Sequence, residues 1–572
     1  MTDPVPMPPP PSVRIVPGRP QPRRWTTLVQ ATAGGLVTEA AFPDRSWWAM
    51  AVLGVALLVL ALRRDGARWA GLVGLVWALA FFAPHLWWAR AAAGTIPWLA
   101  LAVAQSTLVA VGTVAWAIAR RARWLRRAPL APLAFAAVWV AGEQLRSSWP
   151  FGGFPWGRLA FSQTDGPLLS LAWLGGAPLV SAAVALAGFL VAAVWSALRQ
   201  GRHRRAAAAG ALVAALPVLA GVVPLSTAAQ SGTVRVAAVQ GNVPDPDAVV
   251  VDRDRAVLDN HIAGTLALLE DADSGGYDVV MWPENATDID PRADSEAAAA
   301  IEQAAVELGA PILLGADRRA PNGRHVQMLL WEPGRGPVFA YSKQRVVPFG
   351  EYIPARGLVR LFSREVDRVR TDALPGAEPA VVPLTVPRLD RTVRLATPIC
   401  FEVAFDDVVR AAVLGGAELL VVPTNNASFG WTTESTQQLA MTRLRAVEHG
   451  RGAIQISTVG VSAIVGPDGA VLQRTGLFTA DTLSAELPLR TSLTPADRLG
   501  DAPATSAVAL TVAALLAGIV ATRTRRPAHT ALDAQPARTA ADPAAAPPLP
   551  QDPSRRPMPA RKRRPPNPQR HA

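Results

Sequence analysis

Eight apolar segments constrain this chain more than any other feature. Seven follow one another near 27–42, 47–62, 69–88, 95–118, 128–143, 174–197 and 206–225, and one more lies near 506–522. A bilayer core takes about 20 helical residues, so the first two segments are short for the task. Long apolar runs in such succession argue against the buried helices of a soluble protein. Composition agrees, with 50% hydrophobic and 17% charged residues and a mean hydropathy of +0.21. The expected class is a polytopic α-helical membrane bundle of about eight transmembrane helices.

Arginines orient the bundle. Arg63, Arg64 and Arg68 follow the second segment, and Arg120, Arg121, Arg123, Arg126 and Arg127 follow the fourth. Arg199, Arg202, Arg204 and Arg205 follow the sixth, and Arg523, Arg525 and Arg526 follow the last. Basic clusters after every even-numbered helix, with a basic N-terminus, place all of these in the cytoplasm by the positive-inside rule. Residues 226–505 are then delivered to the outer side. Trp47, Trp48, Trp87, Trp88, Trp149 and Trp156 fall on or beside the outer loops, where amphipathic rings suit the headgroup layer. Glu143, near the outer end of the fifth segment, is a weaker candidate for a functional intramembrane acid.

The two ends of the chain differ from the middle. Residues 1–24 are Pro-rich and carry Arg14, Arg19, Arg23 and Arg24 without a long apolar run, unlike a cleavable signal peptide. Residues 523–572 are Pro/Ala/Arg-rich, with eleven Lys or Arg against three Asp, and read as a disordered tail able to lie on anionic lipid. The tail has no aromatic residue and follows a membrane anchor, so nucleic-acid binding is not expected.

Between 226 and 505 the pattern changes to short β-branched runs separated by helical stretches. Strands are expected at 233–240, 278–283, 311–316, 328–333, 393–398, 418–424, 453–458 and 483–489, and helices at 247–270, 295–308, 404–414 and 435–449. This alternation argues for an α/β domain. Three singular residues lie at its strand ends. Cys400 is the only cysteine in the chain, so it has no disulfide partner and anchors no multi-thiolate metal site. A lone cysteine is equally often a small buried hydrophobe. Only two lysines exist, Lys343 and Lys562, in a chain that otherwise writes its positive charge as arginine. A compact ammonium kept at Lys343 suits a point charge beside a reacting atom. Glu284 follows the apolar run VVMWP.

Glu284, Lys343 and Cys400, in that order at strand ends, resemble the catalytic set of the nitrilase (carbon–nitrogen hydrolase) superfamily. The words WPEN, YSKQRVVPFGEYIP, PICFE and PTNNASFGW look more narrowly like the apolipoprotein N-acyltransferase family, over roughly 25–522. The resemblance implies an αββα sandwich carried by the bundle. It also implies a phospholipid as acyl donor and the amine of an S-diacylglyceryl-cysteine apolipoprotein as acceptor. Cys400 would be nucleophile, Glu284 base and Lys343 oxyanion stabiliser, with Glu351 and Glu402 as supporting acids. No cofactor or metal is implied, and the chain has no HExxH, CxxC or GxxxxGK[ST] word. His449 reads as a core or solvated-face histidine rather than a partner of Cys400. Several positions depart from the family pattern: Phe401 stands where Tyr often follows the nucleophile, Asn426 where an acid is expected and Ser428 where Trp is expected, and 241–249 lack a tryptophan that some relatives carry.

The expected division is a disordered cytoplasmic N-terminus (1–24), a seven-helix bundle (25–225), an extracytoplasmic catalytic domain (226–505), a final span (506–522) and a cytoplasmic tail (523–572), in the cell membrane. The loop 147–162 reads as an interfacial turn or a lipid-facing lip. Leu358, Val359, Leu361 and Phe362, beside Arg356, Arg360 and Arg364, read as a packed surface helix or as an arm dipping into the outer leaflet. A membrane-tethered amidase and a catalytically silent scaffold remain alternative functions.

Overall fold

The computed structural model describes residues 21–523 except 65, 123, 126–129, 244–254, 271–275 and 288. The expectations for 1–20, for Arg123, Arg126 and Arg127, for the helix start at 247–254 and for the tail after 523 lie outside the described residues.

A helix forms at each of the eight apolar segments. In chain order the bundle contains α1 (Arg24–Glu39), α2 (Ala49–Ala61), α3 (Ala67–His85), the short α4 (Trp88–Ala93), α5 (Thr95–Ala119), α6 (Ala131–Ser148), α7 (Ala172–Leu198) and α8 (His203–Gly221). Among the described residues, five helical stretches are long and apolar enough to cross a membrane: Ala67–His85, Thr95–Ala119, Pro167–Leu198, His203–Gly221 and Ala502–Arg523. The expected count of eight is therefore met only in part. Helix α2 is apolar but has 13 residues, about 20 Å at 1.5 Å per residue. Helix α1 has 16 residues and ends at Glu39, and α6 carries Glu143 and Arg146 in its second half. Small residues let the first helices meet closely: a Cβ on Gly34 would stand 2.9 Å from the Gly54 carbonyl oxygen and from the Trp77 ring.

Two six-stranded sheets follow. The first has the order β12-β1-β2-β3-β4-β5, with β1 (Thr233–Gln240), β2 (Val279–Met281), β3 (Ile312–Ala320), β4 (Gly323–Glu332), β5 (Gly336–Ser342) and β12 (Asp481–Pro488). The second runs β11-β10-β9-β8-β7-β6, from β6 (Val381–Val386), β7 (Arg391–Ala396), β8 (Leu419–Thr424), β9 (Ala453–Ser457), β10 (Ala463–Val465) and β11 (Val471–Arg474). In each sheet the middle three strands are parallel, with Val236 opposite Val279, Val280 opposite Ile312, Leu395 opposite Leu419 and Leu420 opposite Ala453. All eight expected strands are present.

Period-two alternation sorts the first sheet's side chains onto two faces. Ala237, Val239, Val280, Ile312 and Leu314 pack against α9 (Ala256–Ala267) and α10 (Ser295–Leu308), through Leu258, Ile301 and Ala305. Val236, Ala238, Val279, Met281 and Leu313 join the core shared with Leu395, Val421 and Ile454 of the second sheet. After a one-turn helix, α11 (Arg356–Val359), the second sheet is covered by α12 (Asp406–Leu414) and α13 (Glu434–His449), giving an αββα layering. The short α14 (Pro495–Leu499) leads to α15 (Ala502–Arg523), which returns to pack on α5 and α6.

Bundle and sandwich are joined by buried polar contacts. Arg158, in the α6–α7 connection, donates from Nη1 to both carboxylate oxygens of Asp406 at 2.8 Å. Arg445 of α13 reaches the same carboxylate at 2.7 Å and also pairs with Glu448. Burial pulls the Asp406 carboxyl upward, but Arg158 and then Arg445 hold it well below the usual carboxylate range. Gly176 has φ +66°, and a Cβ there would lie 2.3 Å from Glu448 Oε1, so only glycine lets α7 meet α13 this closely. Glu143 has a structural setting: its Oε1 accepts from the Leu159 amide at 2.9 Å and from Trp139 Nε1 at 3.0 Å.

Candidate active site

The parallel strands deliver their C-terminal ends to one place. Glu284 follows β2 by three residues, Cys400 follows β7 by four, and Asn425 immediately follows β8; Lys343 ends the β5 hairpin arm. Such crevices beyond the carboxyl ends of parallel strands are where α/β proteins place ligands. Cys400 has φ +52°, a left-handed conformation that costs a non-glycine residue on the order of 1–3 kcal/mol and is held only where its surroundings over-determine it.

Lys343 is the centre of the cluster and is 1% exposed. Its Nζ lies 2.8 Å from Glu284 Oε1 and 2.6 Å from Glu351 Oε1. Glu284 Oε2 accepts from the Asn425 amide at 3.1 Å, and the Cys400 thiol lies close enough to feel its charge. The three residues singled out by the sequence therefore meet. Burial disfavours the charge on Lys343, but Glu284 and then Glu351 overcome it and hold the ammonium well above its usual range. Burial raises the Glu284 carboxyl, against the pull of Lys343. Burial also raises the Cys400 thiol, and the Glu284 charge adds to that while Lys343 opposes it. Burial and the Glu284 charge both favour the neutral thiol at rest.

Glu351 and Glu402 are placed differently. Glu351 touches Lys343 with one oxygen, and its Oε2 accepts from the Val347 amide at 2.7 Å, closing the 347–351 turn. Glu402 is fully buried and does not reach Lys343. Its Oε1 accepts from the amides of Gln344 and Arg345 at 2.6 and 2.9 Å, and its Oε2 from the Ile399 amide and the Tyr341 hydroxyl at 2.8 and 2.9 Å. It clamps the two strand ends that carry Lys343 and Cys400. Phe401 turns away from this cluster and stacks on Phe154 and Trp156 of the bundle, at centroid distances of 5.8 and 6.3 Å. The residue after Cys400 is thus held by rings of the 147–162 loop. His449 is buried, with Nδ1 2.6 Å from Asp497 Oδ1, and serves the core.

Sequence reading missed Glu434. It opens α13, is 3% exposed, and its Oε2 accepts from Asn426 Nδ2 at 2.5 Å. Burial pushes its carboxyl up to about 8, partly offset by Asn426 and reinforced by the Glu284 charge. Where the family pattern expects an acid this chain has Asn426, and a carboxylate from the neighbouring helix touches that amide. An acid in a first helical turn is ordinary, so nothing in the sequence marks it.

Comparison with known proteins decides the family. The apolipoprotein N-acyltransferase N-terminal domain matches residues 34–190, and the carbon–nitrogen hydrolase domain matches 235–493. The chain is 40% identical to the apolipoprotein N-acyltransferase of Mycolicibacterium smegmatis over 87% of its own length and 86% of that protein. The chain belongs to the apolipoprotein N-acyltransferase family. Relatives of the same name from Azotobacter vinelandii and Pseudomonas putida are each 32% identical, covering 82% and 87% of this chain and 91% and 98% of theirs. Membership in this family, together with the five apolar helices, makes it a membrane protein with an acyltransferase active-site region of nitrilase type.

Proposed function

We propose that this family member transfers an acyl chain from a phospholipid, through a thioester on Cys400, to the N-terminal amine of a diacylglyceryl apolipoprotein. The observation that carries the reading is the meeting of the buried Glu284 and Lys343 with the half-buried Cys400, the residue after the nucleophile being stacked on rings of a membrane bundle. The Cys400 sulfur attacks the donor's ester carbonyl while Glu284 takes the thiol proton. The Lys343 ammonium stabilises the negative charge that develops on the carbonyl oxygen. Collapse expels the lyso-lipid alkoxide, which takes the proton from Glu284 and leaves the thioester. The acceptor amine attacks next, Glu284 receives its proton, and the sulfur departs and regains that proton as the amide forms. Glu351 steadies Lys343, and Glu402 fixes the spacing between lysine and cysteine.

Two lipid substrates explain why such a site is fastened to a bundle. In this reading the chain crosses the membrane eight times, α1, α2 and α6 being the short crossings. Both termini are cytoplasmic and 226–505 is extracytoplasmic. Leu358, Leu361 and Phe362, exposed at 60, 78 and 74%, meet the outer leaflet. The test is incubation of purified protein with phospholipid and a synthetic diacylated lipopeptide, read by mass spectrometry. A triacylated peptide whose formation is lost in Cys400→Ala is the expected product. Release of free fatty acid without peptide acylation would assign the site to hydrolysis instead.

A further inference from the structure

The bundle holds a second site, at the end remote from the sandwich. Helix α7 packs its N-terminal Gly176 against Glu448 of α13, so its C-terminus at Leu198 lies at the far end of the bundle. There the ends of α2, α5 and α7 and the start of α8 border an open cavity of about 370 Å³. Arg63, Arg120, Arg202 and Arg205 line it, together with Ser196 and Gln200, and none of the described lining residues is acidic. Val59, Trp116 and Phe189 form its inner wall. Arg63 donates to the Ala192 carbonyl at 3.4 Å and Arg120 to the Arg64 carbonyl at 2.8 Å, so both are fixed in place by the helix ends. Arg202 and Arg205 are exposed and complete the ring. Beside it, the Arg199 guanidinium lies 4.7 Å from the centroid of the exposed Trp195 ring, an interfacial arrangement that sets the cavity at headgroup depth.

We infer that this cavity binds the phosphate headgroup of an anionic glycerophospholipid from the leaflet opposite the catalytic domain. The arginines hold the phosphate, and the first part of an acyl chain lies along Val59, Trp116 and Phe189. Basic pockets between transmembrane helices suit such headgroups because guanidinium forks match phosphate geometry while apolar walls take the chain. The site is separate from the proposed donor site, which serves the other leaflet, so its loss and failure of the acyl-transfer reading are distinguishable.

The experiment uses the full-length protein in neutral detergent. It is titrated with cardiolipin, phosphatidylglycerol, phosphatidylcholine of matched chains, and inorganic phosphate, and read by native mass spectrometry and thermal unfolding. The anionic lipids should remain bound and raise the unfolding midpoint. Arg202→Gln with Arg205→Gln should weaken their binding at least about tenfold, one charge-assisted contact or more being removed. Ala193→Trp keeps every arginine but fills the cavity, and should have the same effect. Both variants should still form the acyl-thioester at Cys400, which shows that they are folded. Undiminished anionic-lipid binding in both folded variants, or equal binding of phosphatidylcholine, would overturn the site. Inorganic phosphate binding as tightly as the lipids would overturn it as a lipid site.

Discussion

Lys343→Arg conserves charge and tests whether this position needs an ammonium. Nζ sits between two carboxylate oxygens at 2.8 and 2.6 Å, and Lys343 itself is 1% exposed. A guanidinium is planar and broader, and spreads its charge over three nitrogens. It can satisfy Glu284 and Glu351 only by displacing one of them or by occupying the space where the donor's carbonyl oxygen must develop charge. The expected loss in acylation rate is about 10²–10³-fold, roughly 2.7–4 kcal/mol, the scale for removing one oxyanion donor. Folding should survive, because both carboxylates keep a cationic partner. Lys343→Met is the contrasting variant: it leaves the buried Glu284 and the half-buried Glu351 without their shared cation, and breaking a buried pair costs about 3–5 kcal/mol of stability. The assay is rapid-quench formation of Cys400 thioester from labelled phospholipid in mixed micelles, with thermal unfolding alongside. Near-normal acylation by a folded Lys343→Arg protein would refute the role assigned to Lys343.

Three further outcomes follow from named contacts. Glu402→Gln sets an NH₂ group against one of the donor pairs now held by the carboxylate. Acylation should fall about 10–100-fold, at roughly 1.5–3 kcal/mol for a hydrogen bond to a charged group, and single-turnover kinetics would read it. Asp406→Ala strands Arg158 and Arg445 without their shared carboxylate and should destabilise the fold by about 3–5 kcal/mol in denaturant titration. Because the folded Asp406 carboxyl is held low, its contribution is present above its unfolded value near 3.9 and is lost as pH falls through the depressed folded value. Glu434, at about 8, is neutral at pH 7 and gains charge above that, facing Glu284, Cys400 and Asn426. That charge opposes thiolate formation, so the acylation rate should decline as pH rises through about 8, and Glu434→Gln should abolish that decline. An unchanged alkaline limb would remove Glu434 from the site's electrostatics.

Much of this arrangement was legible before the fold. Glu284, Lys343 and Cys400 stand out because each is chemically singular where it occurs, and strands of continuous apolar residues announce themselves. The four strands not anticipated are harder to see. β6 alternates and contains Pro383, β5 opens on Gly-Pro, and β10 and β11 have three and four residues. Such short, alternating or interrupted runs carry little periodic signal. Glu402 reads from the sequence only as a supporting acid; its four donors come from positions 341, 344, 345 and 399. That clamp exists only once β5 and β7 are brought together. The membrane count suffered in the opposite way. Arginine parity supports eight crossings, yet parity carries no information about length, and α2 stops after 13 residues.

Covalent capture at Cys400 tests the central claim most directly. The protein is incubated with phospholipid carrying a labelled acyl chain and no acceptor, and its intact mass is then measured. The expected result is a single acyl adduct that is cleaved by neutral hydroxylamine, is absent in Cys400→Ala, and is discharged to the amine when a diacylated lipopeptide is added. Peptide acylation at an undiminished rate in Cys400→Ala, or an adduct that persists when the lipopeptide is added, would contradict a thioester at Cys400 as the intermediate.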